Sequence, residues 1–190
     1  AVFRVPGSEH TIDELLELMR HEPLEFNLFR GAIRDIGTPR VFGGQVLAQA
    51  VLAARATVEE RMIHTLHAYF LRAGDPEAPI VYDVDRSRDG RSFTARRVVA
   101  IQHGRPIFTL AASFQVMQSG FEHQFQMPDV PDPEKVSPPP PVPPERLARV
   151  PQKLRRWFTR FGPFEFRQVR VQDPIEPQPQ PPFRQLWFRL

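Results

Sequence analysis

The feature that most constrains this chain is the run Val46, Leu47, Ala48, Gln49, Ala50, Val51, Leu52, Ala53 and Ala54, apolar at every position except Gln49. A helix on a protein surface carries one apolar stripe, whereas a helix apolar all round is enclosed all round. The run is far short of the ~20 residues that cross a bilayer. The expected enclosure is therefore protein, and Gly43, Gly44 and Gln45 mark where the helix enters it.

The flanking sequence supplies the wrapping. Thr11, Ile12, Asp13 and Glu14 fit a capping box ahead of a short amphipathic helix ending near His21, before Pro23. Residues 24–33 read as a first strand with Phe26, Leu28 and Arg30 on one face, and 35–40 as a loop. After the central helix, 62–71, 79–85, 92–102 and 107–116 read as strands, separated by turn signals at Gly74, Asp89-Gly90 and His103-Gly104. At Asp89-Gly90 a glycine with positive φ is expected, as tight hairpins require. One strand, a buried helix, then an antiparallel meander is the order of an α+β unit whose sheet curls round its helix.

The composition changes at Met127. Nine prolines between 128 and 144 exclude both helix and central strand, so an extended connector is expected. Short helices follow over 144–150 and 152–161, then a strand over 164–169, a Pro- and Gln-rich stretch over 173–182, and another strand over 184–190. Ending on an apolar strand leaves an open edge, which natural chains avoid. The expected organisation is a first domain at 1–126, a proline-rich linker with short helices at 127–163, and the opening strands of a truncated second domain at 164–190.

Composition narrows the function classes. With no cysteine, the chain has no disulfide, zinc-thiolate site or thiol nucleophile, which suits a reducing compartment. No apolar run is long enough for a membrane span, so a cytoplasmic location without membrane association is expected. The formal net charge is +3, and Lys135 and Lys153 are the only lysines. The positive charges are arginines scattered among acids, with no basic block, so nucleic acid is not an expected partner. No His, Asp or Glu cluster has metal-ligand spacing, and no metal is expected.

Three groups of residues can carry chemistry. Gly43, Gly44 and Gln45 open a helix whose first amides and partial positive charge can polarise a carbonyl oxygen or hold a ligand. Alternatively, the glycines only let the helix into a tight sheet. His64 and His67, three apart on a strand, are expected on opposite faces, with His64 the candidate base or a hydrogen-bonded structural histidine. Arg88 and Arg91 flank the Asp89-Gly90 hairpin, with Arg86, Arg96 and Arg97 nearby, and can hold phosphates or simply be solvated. Ser92 and Ser113 lack the strand–turn–helix context of a serine nucleophile.

Residues 41–45, 64–75, 88–98, 111–115 and 121–124, in that order and spacing, closely resemble the acyl-CoA thioesterase II family. The resemblance spans about 24–127 and, more loosely, 164–190. It implies a double hotdog: two consecutive units, each an antiparallel sheet wrapped around a long central helix, of which this chain carries the first and the truncated start of the second. It also implies hydrolysis of acyl-CoA to free fatty acid and CoA without a cofactor, and assembly into homo-oligomers through the hotdog sheets. Gly43, Gly44, Gln45, Arg88 and Arg91 become the expected substrate-binding residues.

In that family an Asp, a Ser or Thr, and a Gln of the second unit activate the water. None of these can be assigned within 1–190, and His64 is left in a supporting role. Protein ending at Leu190 is therefore expected to have little thioesterase activity. Two alternatives are a non-catalytic acyl-CoA-binding hotdog module and an enoyl-CoA hydratase. The hydratase needs an acid/base pair that 46–54 does not supply.

Overall fold

The computed structural model describes residues 12–33, 40–152, 155 and 163–190. The chain divides into two compact units, Leu16–Phe121 and a second drawn from Ala1–Leu15 and Glu122–Leu190. Helix α1 (Ile12–Met19) carries Asp13 and Glu14 in its first turn, where the helix dipole favours negative charge. The Thr11 cap lies outside the described residues, as do most of the 35–40 loop and of the 152–161 helix.

The stretch expected as one strand is a hairpin. Strands β1 (His21–Glu25) and β2 (Leu28–Gly31) pair antiparallel across Phe26 and Asn27. Asn27 holds the turn against the next strand of the sheet. Its carbonyl accepts from Val84 N at 2.9 Å, its side-chain oxygen accepts from Arg86 Nε at 2.9 Å, and the Arg86 guanidinium lies 3.8 Å over the Phe26 ring. Phe29 and Gly31 form the buried face, while Phe26 is exposed and Arg30 pairs with Glu22 at the surface.

Helix α2 (Gly43–Arg55) lies against the sheet through Val46, Gln49, Ala50, Ala53 and Ala54. Alanine on this face brings helix and sheet close together. Full enclosure was expected, but Leu52 remains 38% exposed, so among the described residues α2 is covered on its sheet side only. Gln49, the polar exception, is fully buried. Its Nε2 donates to the carbonyls of Leu18 (2.7 Å) and Ala32 (2.9 Å), and its Oε1 accepts from Tyr82 OH (2.7 Å). Gly31 makes room for this amide, since a Cβ there would lie 2.7 Å from Gln49 Oε1 and 2.9 Å from Tyr82 Cε2.

Strands β3 (Met62–Phe70), β4 (Ile80–Asp89), β5 (Phe93–Gln102) and β6 (Arg105–Gln115) complete a six-stranded antiparallel sheet in the order β1-β2-β4-β5-β6-β3. Strand β3 therefore leaves α2 and folds back onto the far side of β6. Ladder irregularities at Pro23/Glu25, Ile63/Thr65, Asp85/Arg88 and Ala100/Ile101 bend and twist the strands, which lets the sheet curl round α2. Alternation sends Ile80, Tyr82, Val84, Val98, Ala100, Phe108, Leu110, Ala112 and Phe114 into one core with the α2 face. Each large side chain buried there stabilises the fold by roughly 1.5–3 kcal/mol.

Gly90 does not adopt the positive φ expected of it. A Cβ there would lie 2.9 Å from the Phe93 carbonyl oxygen, which instead accepts from Gly90 N, so close approach is the reason for glycine. Left-handed backbone falls one hairpin later, at His103 (φ 49°) and Gly104 (φ 70°).

In the second unit, β7 (Glu165–Gln168) and β8 (Leu186–Arg189) pair antiparallel, and α3 (Pro144–Leu147) forms a single turn. The proline-rich stretch serves as an acceptor here: Trp187 Nε1 donates to the Pro131 carbonyl (3.0 Å) and Arg167 Nη1 to that of Pro133 (2.6 Å). Among the described residues no helix is long and apolar enough to cross a membrane.

Candidate functional site

A cavity of about 390 Å³ opens at the start of α2. Its apolar lining includes Val46, Phe70, Ile107 and Phe108, its charged lining is Arg40 and Arg72, and backbone from Gly43 and Gly74 completes the wall. Sequence folds each part into place. Phe70 and Phe108 are cross-strand partners on β3 and β6, with ring centroids 4.9 Å apart. The chain entering α2 is fastened by Val41 N donating to Gly74 O at 3.1 Å. The turn after β3 is clamped by buried Gln102, whose Nε2 donates to the carbonyls of Asp75 (2.9 Å) and Ala78 (2.6 Å) while its Oε1 accepts from Asp75 N (2.8 Å). The Asp75 carboxylate accepts from the Glu77 amide and contacts His103 Nε2 at 2.8 Å. Those two interactions, the amide first, hold its pKa below the ordinary aspartate value.

The helix start itself is partly occupied. Phe42 is the N-cap and provides no side-chain hydrogen bond, so no side chain caps the first turn. A Cβ at Gly43 would lie 3.0 Å from the Phe70 ring, and one at Gly44 would lie 2.8 Å from Phe42 Cζ. Aromatic rings therefore pack closely on both glycines, Phe70 on Gly43 and Phe42 on Gly44. The Gln45 amide is also committed, donating from Nε2 to the Ala32 carbonyl at 3.0 Å.

The other sequence candidates do not converge on this cavity. The β-bulge at His64 resets the alternation of β3: Ile63 is paired with inward Phe114, but Thr65 is already opposite outward Ser113. His64 and His67 therefore share the outer face of the sheet instead of opposing one another. His64 Nε2 lies 2.8 Å from Ser113 Oγ, and the His67 ring is 4.6 Å from that of Tyr69.

Arg88 and Arg91 lie by the C-terminal end of α2, about 18 Å along a helix of this length from Gly43. Arg96, at 3% exposure, anchors that end internally. It donates to Thr57 Oγ1 (2.8 Å), Thr57 O (3.0 Å), Arg88 O (3.2 Å) and Asp89 Oδ1 (2.6 Å). The Asp89 carboxyl is held below its ordinary pKa, chiefly by this guanidinium. Arg61 Nη2 reaches the Arg91 carbonyl at 3.3 Å.

Arg40, Arg72, Phe70 and Phe108 were not singled out from sequence. The signals available were that Phe70 and Arg72 fall in the 64–75 segment of the family resemblance, and that a charge stands at each end of the two segments that meet here, 40 before the helix and 72 after the strand. Nothing in strand periodicity shows that those ends meet.

Comparison with known proteins places this arrangement. Residues 30–115 match the family described as the acyl-CoA thioesterase N-terminal domain. Acyl-CoA thioesterase 2 of Haemophilus influenzae is 40% identical over 179 residues, covering 94% of this chain and 63% of that protein. The crystal structure of an acyl-CoA thioesterase II from Mycobacterium marinum is 36% identical with a TM-score of 0.64, over 91% of this chain and 59% of that one. A protein of unknown function with a hot dog fold from Alicyclobacillus acidocaldarius, 23% identical, aligns with a TM-score of 0.61 over 80% of this chain and 54% of its own. The chain thus spans less than two thirds of these relatives, and its curled sheet round α2 is a hotdog fold.

Proposed function

We propose, from the premise that residues 30–115 belong to the acyl-CoA thioesterase N-terminal domain family, that this chain holds the ester in the hydrolysis of acyl-CoA to free acid and CoA. The observation that carries this reading is the cavity at the start of α2, lined by apolar side chains together with Arg40 and Arg72. Ligand sites of a few hundred Å³ with few placed polar groups are the usual form of small-molecule sites. The names of the H. influenzae and M. marinum relatives support the substrate class.

Hydrolysis adds water to the thioester carbonyl, breaks the C–S bond and returns a proton to the leaving thiolate. A base must take the proton of the water. Among the described residues, the ionisable side chains in the cavity lining are Arg40 and Arg72, and arginine stays protonated. The water-activating residues are therefore proposed to lie outside this lining, and this favours one further reading, a module that binds acyl-CoA without hydrolysing it. Titrating the chain with an acyl-CoA while following thiol release separates the two. Binding with little release is expected from residues 1–190. Absence of binding would refute the reading, and rapid release by the chain alone would place the base within it.

The oligomer expected from the resemblance fits the open edge of the sheet. Strand β3 has no partner on its outer side among the described residues, and it exposes Met62, Leu66, Tyr69 and Phe70. An unpaired edge of this kind is a template for a further strand.

A further inference from the structure

We infer that residues 137–142 are a docking strap for a separate protein module, one whose aromatic groove takes a left-handed proline helix. This goes beyond the acyl-CoA reading and does not depend on it. The run Ser137, Pro138, Pro139, Pro140, Pro141 and Val142 holds four consecutive prolines, and each proline ring locks φ at about −65°. Such a run takes the extended left-handed helix with three residues per turn, which has no internal hydrogen bonds. Pro143, which follows it, has φ −58° and ψ 145°, inside the range of that helix.

The run is held at both ends and free between them. Before it, backbone carbonyls are taken up within the same unit: Trp187 Nε1 donates to Pro131 O at 3.0 Å, and Arg167 Nη1 donates to Pro133 O at 2.6 Å and to Val136 O at 3.4 Å. After it, Pro143 O accepts from the amides of Arg146 and Leu147 as α3 begins. Buried Val136 and Val150, and the Arg146–Asp173 ion pair at 2.5 Å, fasten the two flanks. Between them, 137–142 makes no hydrogen bond among the described residues, and Ser137 and the four prolines are exposed. Six residues of this helix span about 19 Å.

The exposed surface states what fits it. With three residues per turn, Pro138 and Pro141 share one ridge, Pro140 and Pro143 a second, and Pro139 and Val142 the third. Val142 is half-buried, which turns the third ridge inward and leaves the two proline pairs outward. Prolines three apart on a free helix are the form that aromatic-lined grooves accept. Trp and Tyr rings pack on the pyrrolidine faces, and their N–H and O–H groups can donate to the unused carbonyls. Charge adds little, because the cations beside the strap are already paired: Lys135 with Asp132, Arg146 with Asp173 and Arg149 with Glu176. An aromatic groove is therefore favoured over an acidic one. Fixed ends also lower the ordering cost of binding.

The test is to titrate isotope-labelled WW and SH3 domains that accept proline runs with the intact chain, and separately with a free 136–144 peptide, following the groove resonances. The chain should perturb the groove of at least one domain, bind at least as tightly as the peptide, and keep its affinity at high salt. Replacing Pro138→Ala and Pro141→Ala together should weaken binding about tenfold. Pro128→Ala, outside the strap, should leave it unchanged, and unaltered circular dichroism shows that the variants are folded. Silence from both domains, equal binding by the double variant, or loss of binding in salt would overturn the inference. So would binding by the peptide but not by the chain, which makes the run a spacer only. Self-association of the chain abolished by the double variant would overturn it too, by giving the strap to a second copy.

Discussion

Gln49 is the residue on which the larger unit turns. From sequence it is only the polar exception in an apolar helix, and helical periodicity does not tell a surface exception from a buried anchor. In the fold it joins α2 to the end of α1, to the segment after β2 and to Tyr82. Replacing it with leucine would orphan the Leu18 carbonyl and the Tyr82 hydroxyl, each costing about 1–3 kcal/mol. Gln45→Leu should cost less, because the Ala32 carbonyl that it serves keeps its bond from Gln49. Urea denaturation of the two variants checks the order, and equal losses would contradict it. His21 is the second such residue. Burial lowers its pKa from 6.5 against an opposing interaction with the Gln49 backbone, its Nε2 has no hydrogen-bond partner among the described residues, and its ring lies edge-on to Phe29 and Tyr82. The unfolded chain then binds a proton that the fold resists, so stability is full above 6.5 and falls as pH drops through and below it. Thermal midpoints measured on either side of 6.5 should show this slope, and His21→Phe should flatten it.

At the scale of elements, the four meander strands and the central helix were legible because each has a strong period and a turn signal at its end. The β1–β2 hairpin was not. Its reversal at Phe26 and Asn27 is fixed by Val84 and Arg86, far along the chain, which no local pattern reveals. The bulge at His64 was hidden for a similar reason: strict alternation places His64 and His67 on opposite faces, and only pairing with β6 shows the extra residue. The β4–β5 hairpin shows how charge acts between elements. Arg96 ties it to the turn after α2, and the guanidinium is buried while Asp89 is 59% exposed. Arg96→Met should therefore be strongly destabilising, about 2–4 kcal/mol, since it strips donors from Thr57 and the hairpin carbonyl. Asp89→Asn should cost no more than about 1 kcal/mol, as for an exposed pair. Comparable losses in chemical denaturation would show that the ion pair, and not the bonds to Thr57, holds this corner.

At the scale of the whole molecule, the apolar helix pointed to an α+β unit with a sheet curled round it, and the resemblance pointed to the hotdog. The sheet does curl round α2 as a hotdog, but among the described residues it covers the helix on one side only. The site was legible only in part. Gly43 was found because a glycine pair at a helix start is conspicuous, and in the fold it lines the cavity with the Phe70 ring packed against it. Arg72 stayed hidden because a cavity assembled from 40–46, 70–74 and 107–108 exists only after β3 has crossed to β6. Arg88 and Arg91 belong to the other end of α2 and take no part in it. The central claim is that this unit holds the ester in acyl-CoA hydrolysis. Its most direct test is a chimera in which the chain replaces the part of H. influenzae acyl-CoA thioesterase 2 that it matches, 63% of that protein. The account predicts thiol release from acyl-CoA at a rate near that of the parent enzyme. A folded chimera that releases no thiol would contradict it.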